Sequence, residues 1–199
     1  MMYVKYEFSY DKHIPDADRI YRVTLDISWD NYELQETAIA PGPTAYALQN
    51  DYPEFIAGTR LRFAYKLLIE SNPENTNKES KKFYEENVLF TDSSFLKVFD
   101  FEIISGNKKT ALREPNSIII SESAAEKYFG NENPVGKVLI ANNSRKGIIT
   151  AVMKDIPSNT HFYTDFIVNA AADEDFDVNN WRTLSLYSYV KAAKNADLT

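Results

Sequence analysis

The segment from Phe95 to Gly136, FLKVFDFEIISGNKKTALREPNSIIISESAAEKYFGNENPVG, constrains the fold more tightly than any other, because nearly every punctuation mark in it has an assignable physical job. Ser117–Ser121, three isoleucines between two serines, predicts a short buried strand. It feeds a helix that a hydroxyl starts and Gly130 stops, and Pro134-Val135-Gly136 then turns the chain into another apolar strand. Two starts are open for the helix. Ser121 can cap it directly, or Ser123 with Glu126 can form the S-x-x-E box, in which each side chain satisfies the other residue's unpaired backbone N–H. Its apolar face, Ala124, Ala125, Tyr128 and Phe129, reads as core, and nothing in the segment is chemically reactive.

Alternation with period two marks further strands. Tyr21, Val23, Leu25 and Ile27 alternate with Arg22, Thr24 and Asp26, and from Thr59 to Glu70 the same pattern puts Leu61, Phe63, Tyr65, Leu67 and Ile69 on one face. Between them Pro41-Gly42-Pro43 interrupts the chain. Thr44–Asp51 then predicts a short helix, capped by Thr44 and ended near Pro53. Strand, helix and strand make one β-α-β unit. The polar, aperiodic Ser71–Ser80 segment reads as a boundary between lobes. Beyond it come short strands at Phe83-Tyr84 and 88–90, a helix over 93–99 capped by Asp92, and a hairpin of 137–141 with 147–153 around the turn 142–146. Residues 162–168 and 184–192 are the last strands, and Asp197 reads as the N-cap of a helix whose body lies past the end of the chain.

The composition narrows the function classes. The chain has 199 residues, 44% of them hydrophobic, enough for one divided domain or two small lobes. Its formal net charge of -7 opposes phosphate backbones and argues against nucleic acid as a partner. Without cysteine there is neither a disulfide frame nor a thiolate metal site. The first residues lack the apolar core of a signal peptide, and no apolar run approaches the roughly 18 residues of a membrane helix.

Candidate chemistry is sparse. There is no G-x-S-x-G, H-E-x-x-H or phosphate-cradling glycine loop, so no catalytic residue, cofactor site or metal site is assigned. His13 and His161 offer either a two-histidine site or polar residues satisfied near strand ends. Asp173, Asp175, Asp177 and Asn179 superficially resemble a calcium loop, yet Val178 stands where that loop needs glycine and Leu184 where it needs glutamate; a solvated acidic connector is the other reading. Asp11, Asp16 and Asp18 suit a turn with capping. Trp29 and Tyr32, beside Asp30-Asn31, are the one aromatic pair that could anchor a protein partner, against the reading of a cluster covering a sheet edge.

Tyr6–His13, Ala17–Val23, Phe95–Gly106, Pro115–Gly136, Asp155-Ile156-Pro157, Asn180-Trp181 and Tyr187-Ser188-Tyr189, in that order, resemble the MacB-like extracytoplasmic core domain of ABC-transporter permeases, in wording closest to those of Bacteroidetes. The resemblance implies an α+β fold of two lobes. A porter-like lobe of β-α-β units would comprise 1–70 and 161–199, cut short at its C-terminus, and an inserted mixed α/β sabre-like lobe would comprise 75–158. It implies a non-enzymatic domain on the periplasmic side of the inner membrane, cut from a larger protein with membrane helices before Met1 and after Thr199. Such a domain relays ATP-driven motion to substrate, adaptor or lipoprotein. The implied partners are the rest of the permease, a second permease subunit, a separate ATPase subunit or domain, and a periplasmic adaptor. A free-standing extracytoplasmic ligand-binding protein is the alternative.

Overall fold

The computed structural model describes residues 11–27, 35–71, 80–86, 88–182 and 184–198, which form a mixed α/β fold with a large mixed sheet and few helices. In chain order the strands are β1 (Ile20–Arg22), β2 (Leu25–Ile27), β3 (Gln35–Thr37), β4 (Ala40–Pro41), β5 (Phe55–Ala64), β6 (Leu67–Ser71) and β7 (Lys82–Glu85). They continue as β8 (Val88–Thr91), β9 (Ile103–Gly106), β10 (Ser117–Ser121), β11 (Val138–Ala141), β12 (Arg145–Met153), β13 (Phe166–Asn169) and β14 (Leu184–Ala192). The α-helices among the described residues are α1 (Thr44–Asp51), α2 (Phe95–Val98) and α3 (Glu122–Phe129). The chain divides into two compact units. The first is Met1–Pro15, Phe63–Phe90 and Phe101–Asn169; the second is Asp16–Arg62, Thr91–Asp100 and Ala170–Thr199.

In the first unit the sheet order is β8-β13-β10-β12-β11-β6-β7, with β9 on the far end of β12. Strand β10 runs parallel to β12 and antiparallel to β13, and all five of its residues are buried. An isoleucine run suits that place, because a central strand covered on both faces has no polar side to alternate with. The crossover helix α3 starts where Ser121 Oγ accepts the Ala124 N–H at 3.1 Å, so Ser121 is the cap. Ser123 lies inside the helix and its N–H goes to Asp155 at 3.0 Å, which leaves no capping box with Glu126. Gly130 ends the helix with φ +62°, a conformation that costs glycine little. Ser121→Ala is expected to lower stability by about 1 kcal/mol, since the cap is lost; thermal melts followed by circular dichroism check it.

In the second unit β14 lies between β1 and β5 and also carries β4, while β2 and β3 form a separate two-stranded ladder. Helix α1 sits so close to β5 that a Cβ on Gly58 would meet the Ala45 carbonyl oxygen at 2.6 Å. Phe99 fills the core between Phe95, at a ring distance of 5.0 Å, and Tyr189, at 5.2 Å.

The structure departs from the sequence reading at several points. The strand expected over 20–27 is two, β1 on β14 and β2 on β3. The strand expected from Thr59 to Glu70 breaks at Tyr65-Lys66; its first part pairs with β14, its second with β11 and β7. Two residues of bend keep the alternation in phase, so periodicity passes through unbroken. Of residues 162–168, placed with the chain ends by the sequence, Phe166, Ile167 and Val168 pair instead with Ile120, Ile119 and Ile118. Lobe bounds of 1–70 with 161–199 and of 75–158 therefore differ from the compact units, in which 91–100 also joins the second unit. At α1 the N-cap is Pro43, and Thr44 is the first helical residue. Asp92, expected as a helix cap, does accept the Ser94 N–H at 3.2 Å, but it is chiefly the partner of a buried arginine.

Candidate functional site

The densest polar construction lies inside the second unit. Arg60 on β5 and Asp92, next after β8, are 2% and 3% exposed, a burial that charged side chains tolerate only when paired and hydrogen-bonded. Arg60 Nε donates to Asp92 Oδ2 at 3.1 Å, and the Arg60 backbone N–H reaches the same oxygen at 3.2 Å. The other oxygen, Oδ1, accepts the Thr59 hydroxyl at 2.9 Å and the hydroxyl and N–H of Ser94. Arg60 Nη1 donates to the carbonyls of Gly42, at 3.1 Å, and Phe176, at 2.9 Å, while the guanidinium lies over the rings of Tyr46 and Phe176. One cation thus ties together the 41–43 turn, helix α1, strand β5, the start of α2 and the 174–176 turn. Burial, with the Asp92 charge adding to it, pushes the Tyr46 phenol up to about 12.

A second arginine holds the acidic segment. Arg62 pairs with Asp173 at 2.9 Å and with Asp175, and Asp177 Oδ1 accepts the Asn179 N–H at 2.9 Å. The carboxylates that looked like calcium ligands are therefore engaged by a guanidinium and by their own turn. Among the described residues no group of three or more His, Asp or Glu is arranged to hold a metal ion.

In the first unit, Asp11 is fastened to the 159–161 turn. Its carboxylate meets His161 Nδ1 at 2.9 Å, the His161 N–H at 3.0 Å and the Thr160 hydroxyl at 3.1 Å, and its own N–H donates to the Asn159 carbonyl. The hydroxyl gives its hydrogen bond to the carboxylate rather than to the imidazole, so the geometry does not activate it as a nucleophile. Burial works to raise Asp11, but the His161 hydrogen bonds and charge outweigh it and hold the carboxyl below its usual 3.8.

His13 stacks on Phe101 at 6.4 Å, and both of its ring nitrogens are shielded from water without a hydrogen-bond partner. Burial keeps its pKa below the ordinary 6.5. The unfolded chain then takes up this proton more readily than the folded one. The stability owed to the neutral ring is complete above about pH 6.5 and falls as pH drops toward the lower folded value. His13→Gln is expected to flatten that part of the stability profile, measured by urea denaturation between pH 7.5 and 5; an unchanged slope would contradict the assignment.

The first unit also holds a shallow, mostly apolar cleft lined by Leu67, Val88, Phe90, Leu139, Phe166 and Val168, with Arg145 among its polar lining residues. Of the residues singled out in the sequence, Trp29 and Tyr32 lie outside the described residues. Sequence reading missed Arg60, which the alternation places among exposed polar positions, and no local pattern marks it as buried. It also used Trp181 only as a motif, whereas that side chain is 57% exposed.

Three solved structures share the fold. A domain assigned to a permease protein of Porphyromonas gingivalis matches with TM-score 0.75 and 24% identity, over 92% of this chain and 77% of that one. The periplasmic region of MacB from Actinobacillus actinomycetemcomitans matches with TM-score 0.62 and 15% identity, over 96% and 82%. The extracellular domain of the noncanonic ABC-type transporter YknZ from Gram-positive bacteria matches with TM-score 0.55 and 14% identity, over 88% and 84%. The architecture is thus one found in the extracytoplasmic domains of ABC-type transporters. The chain itself belongs to the MacB-like periplasmic core domain family, whose model matches residues 1–199, and so to a domain type of ABC-transporter permeases. No curated protein sequence is significantly similar to it. No helix among the described residues is long and apolar enough to cross a membrane.

Proposed function

We propose that this chain is a non-catalytic relay module on the periplasmic side of the inner membrane, carrying the ATP-driven motion of a MacB-type permease to a substrate, adaptor or lipoprotein. Its partners are the permease's membrane helices, a second permease subunit, an ATPase subunit or domain and a periplasmic adaptor. The second unit acts as the porter-like lobe and the first as the sabre-like lobe. The observation that carries this reading is the buried Arg60–Asp92 knot, which fastens four sequence-distant segments of the second unit, around residues 42–46, 59–60, 92–94 and 176, into one body. A relay must move as a body, because a part that deforms under load dissipates the displacement it should pass on. In the complete permease reconstituted with its ATPase, Arg60→Met is expected to leave ATP hydrolysis running while transport fails. Transport at the unaltered rate, with the variant folded, would contradict the reading.

A further inference from the structure

We propose that residues 11–15 are a proton-operated latch: the neutral His13 ring seats this segment on the first unit, and a proton taken up by the ring releases it while the rest of the unit stays folded. The latch does not depend on the relay reading. The segment belongs to no strand or helix, and Asp11 and Asp16, with φ of 56° and 60°, bracket it in left-handed backbone. A residue other than glycine keeps that conformation only where its surroundings impose it. Here the surroundings are two attachments. At one end Asp11 is hooked to the 159–161 turn through its own N–H and its carboxylate. At the other, Ile14 is 4% exposed and the His13 ring lies on Phe101, while the Ile14 N–H donates to the Asp11 carbonyl at 2.9 Å and closes the turn between them.

The seat of His13 accepts a neutral ring only. His13, Phe101, Phe162 and His161 form a row, with Phe162 at 6.1 Å from Phe101 and His161 edge-on to Phe162 at 4.5 Å. An imidazolium carries two N–H donors, and both His13 nitrogens are shielded from water without an acceptor. At 6.4 Å the Phe101 ring stands too far off for a useful cation–π contact. A charged His13 therefore leaves two donors and a charge unmet, so protonation and seating exclude one another.

The charged groups on the surrounding elements pull in both directions. Burial opposes the imidazolium most, Asp11 on the same segment favours it, and the charge of His161 on the 159–161 turn opposes it, with the net effect of keeping the ring below the ordinary 6.5. Lys12 is exposed. Asp100 and Glu102 flank Phe101 in sequence, and exposed Glu102 meets Lys154 at 3.4 Å. Seating is thus complete above about pH 6.5 and is lost as pH falls toward the lower folded value. The hook answers acid in the opposite sense, because an imidazolium at His161 holds the Asp11 carboxylate more firmly than an imidazole does. Acid frees His13 and Ile14 about a retained Asp11. The freed stretch is the one that continues into the second unit at Asp16.

Amide hydrogen exchange, read residue by residue by NMR on the 199-residue chain between pH 7.5 and 5, tests this when each rate is compared with that of an unstructured chain at the same pH. Protection of the Ile14 amide should fall by up to about tenfold per pH unit between about pH 6.5 and the lower folded value, the slope of one proton. The Asp11 amide should keep its protection, and Ile119, 0% exposed on the central strand, should be far better protected than Ile14 at every pH. His13→Phe keeps a ring against Phe101 but binds no proton, so Ile14 protection should become independent of pH; if that variant does not fold, His13→Leu replaces it. Ile14 protection that stays constant down to pH 5 in the wild-type chain overturns the proposal, and so does a fall that survives in the His13 variant. Equal protection of Ile14 and Ile119 would mean that the whole unit opens at once, and loss of Asp11 protection alongside Ile14 would mean that there is no hook; either result also overturns it.

Discussion

Arg60→Ala is expected to lower the stability of the second unit by about 3–5 kcal/mol, the usual cost of removing one partner from a buried ion pair. The loss has three parts. Asp92, 3% exposed, keeps its charge in the interior with only the Thr59 and Ser94 groups and one backbone N–H to meet it. The carbonyls of Gly42 and Phe176 lose their donor, and the rings of Tyr46 and Phe176 lose the cation that covers them. The 41–43 and 174–176 turns should loosen together, because one guanidinium holds both. Urea denaturation gives the size of the loss, and amide hydrogen exchange locates it. Changing both members, Arg60→Met with Asp92→Leu, should recover much of the stability, since neither charge is then stranded. A cost below about 1 kcal/mol for Arg60→Ala, the range of a solvent-exposed pair, would contradict the burial.

Phe166→Ala should be as costly in the first unit, about 3–5 kcal/mol, because the ring is 1% exposed and its removal leaves a cavity in a packed sheet face. The ring stands edge-on to Tyr128 at 6.0 Å, and its strand pairs with the fully buried β10. Phe166→Leu should cost much less, since it retains most of the volume. Equal effects from the two variants in urea denaturation would mean that the site is not packed as described.

These two residues also mark how far the sequence could be read. Phe166 was legible as a strand residue within 162–168, but not the partner of that strand. Pairing between 166–168 and 118–120 links positions far apart in the chain, and period two fixes only which face a side chain takes. Gly130, the Ser121 cap as one of two starts, and the reversal expected over 142–146 and found over 142–144 were legible because their jobs are local: a positive φ, an oxygen for an N–H three residues on, a two-strand turn. Arg60 was not, since its burial depends on carbonyls from residues 42 and 176 that reach it only in the folded unit. The same holds for Asp173 and Asp175. As a sequence they invite a cation, and the fold supplies one as Arg62. The break at Tyr65-Lys66 escaped for the opposite reason, because an even-numbered bend leaves the alternation intact.

The central claim is that the domain moves with the nucleotide cycle while its second unit keeps its internal geometry. Pulsed electron-electron spin resonance on the complete permease, with a spin label at exposed Tyr52 in each of two subunits, measures it most directly. The account predicts that the distance between the two labels changes between the nucleotide-free and ATP-bound states, while a second label at exposed Trp181 keeps a constant distance to Tyr52 within one subunit. An intersubunit distance that is the same in both states would contradict it.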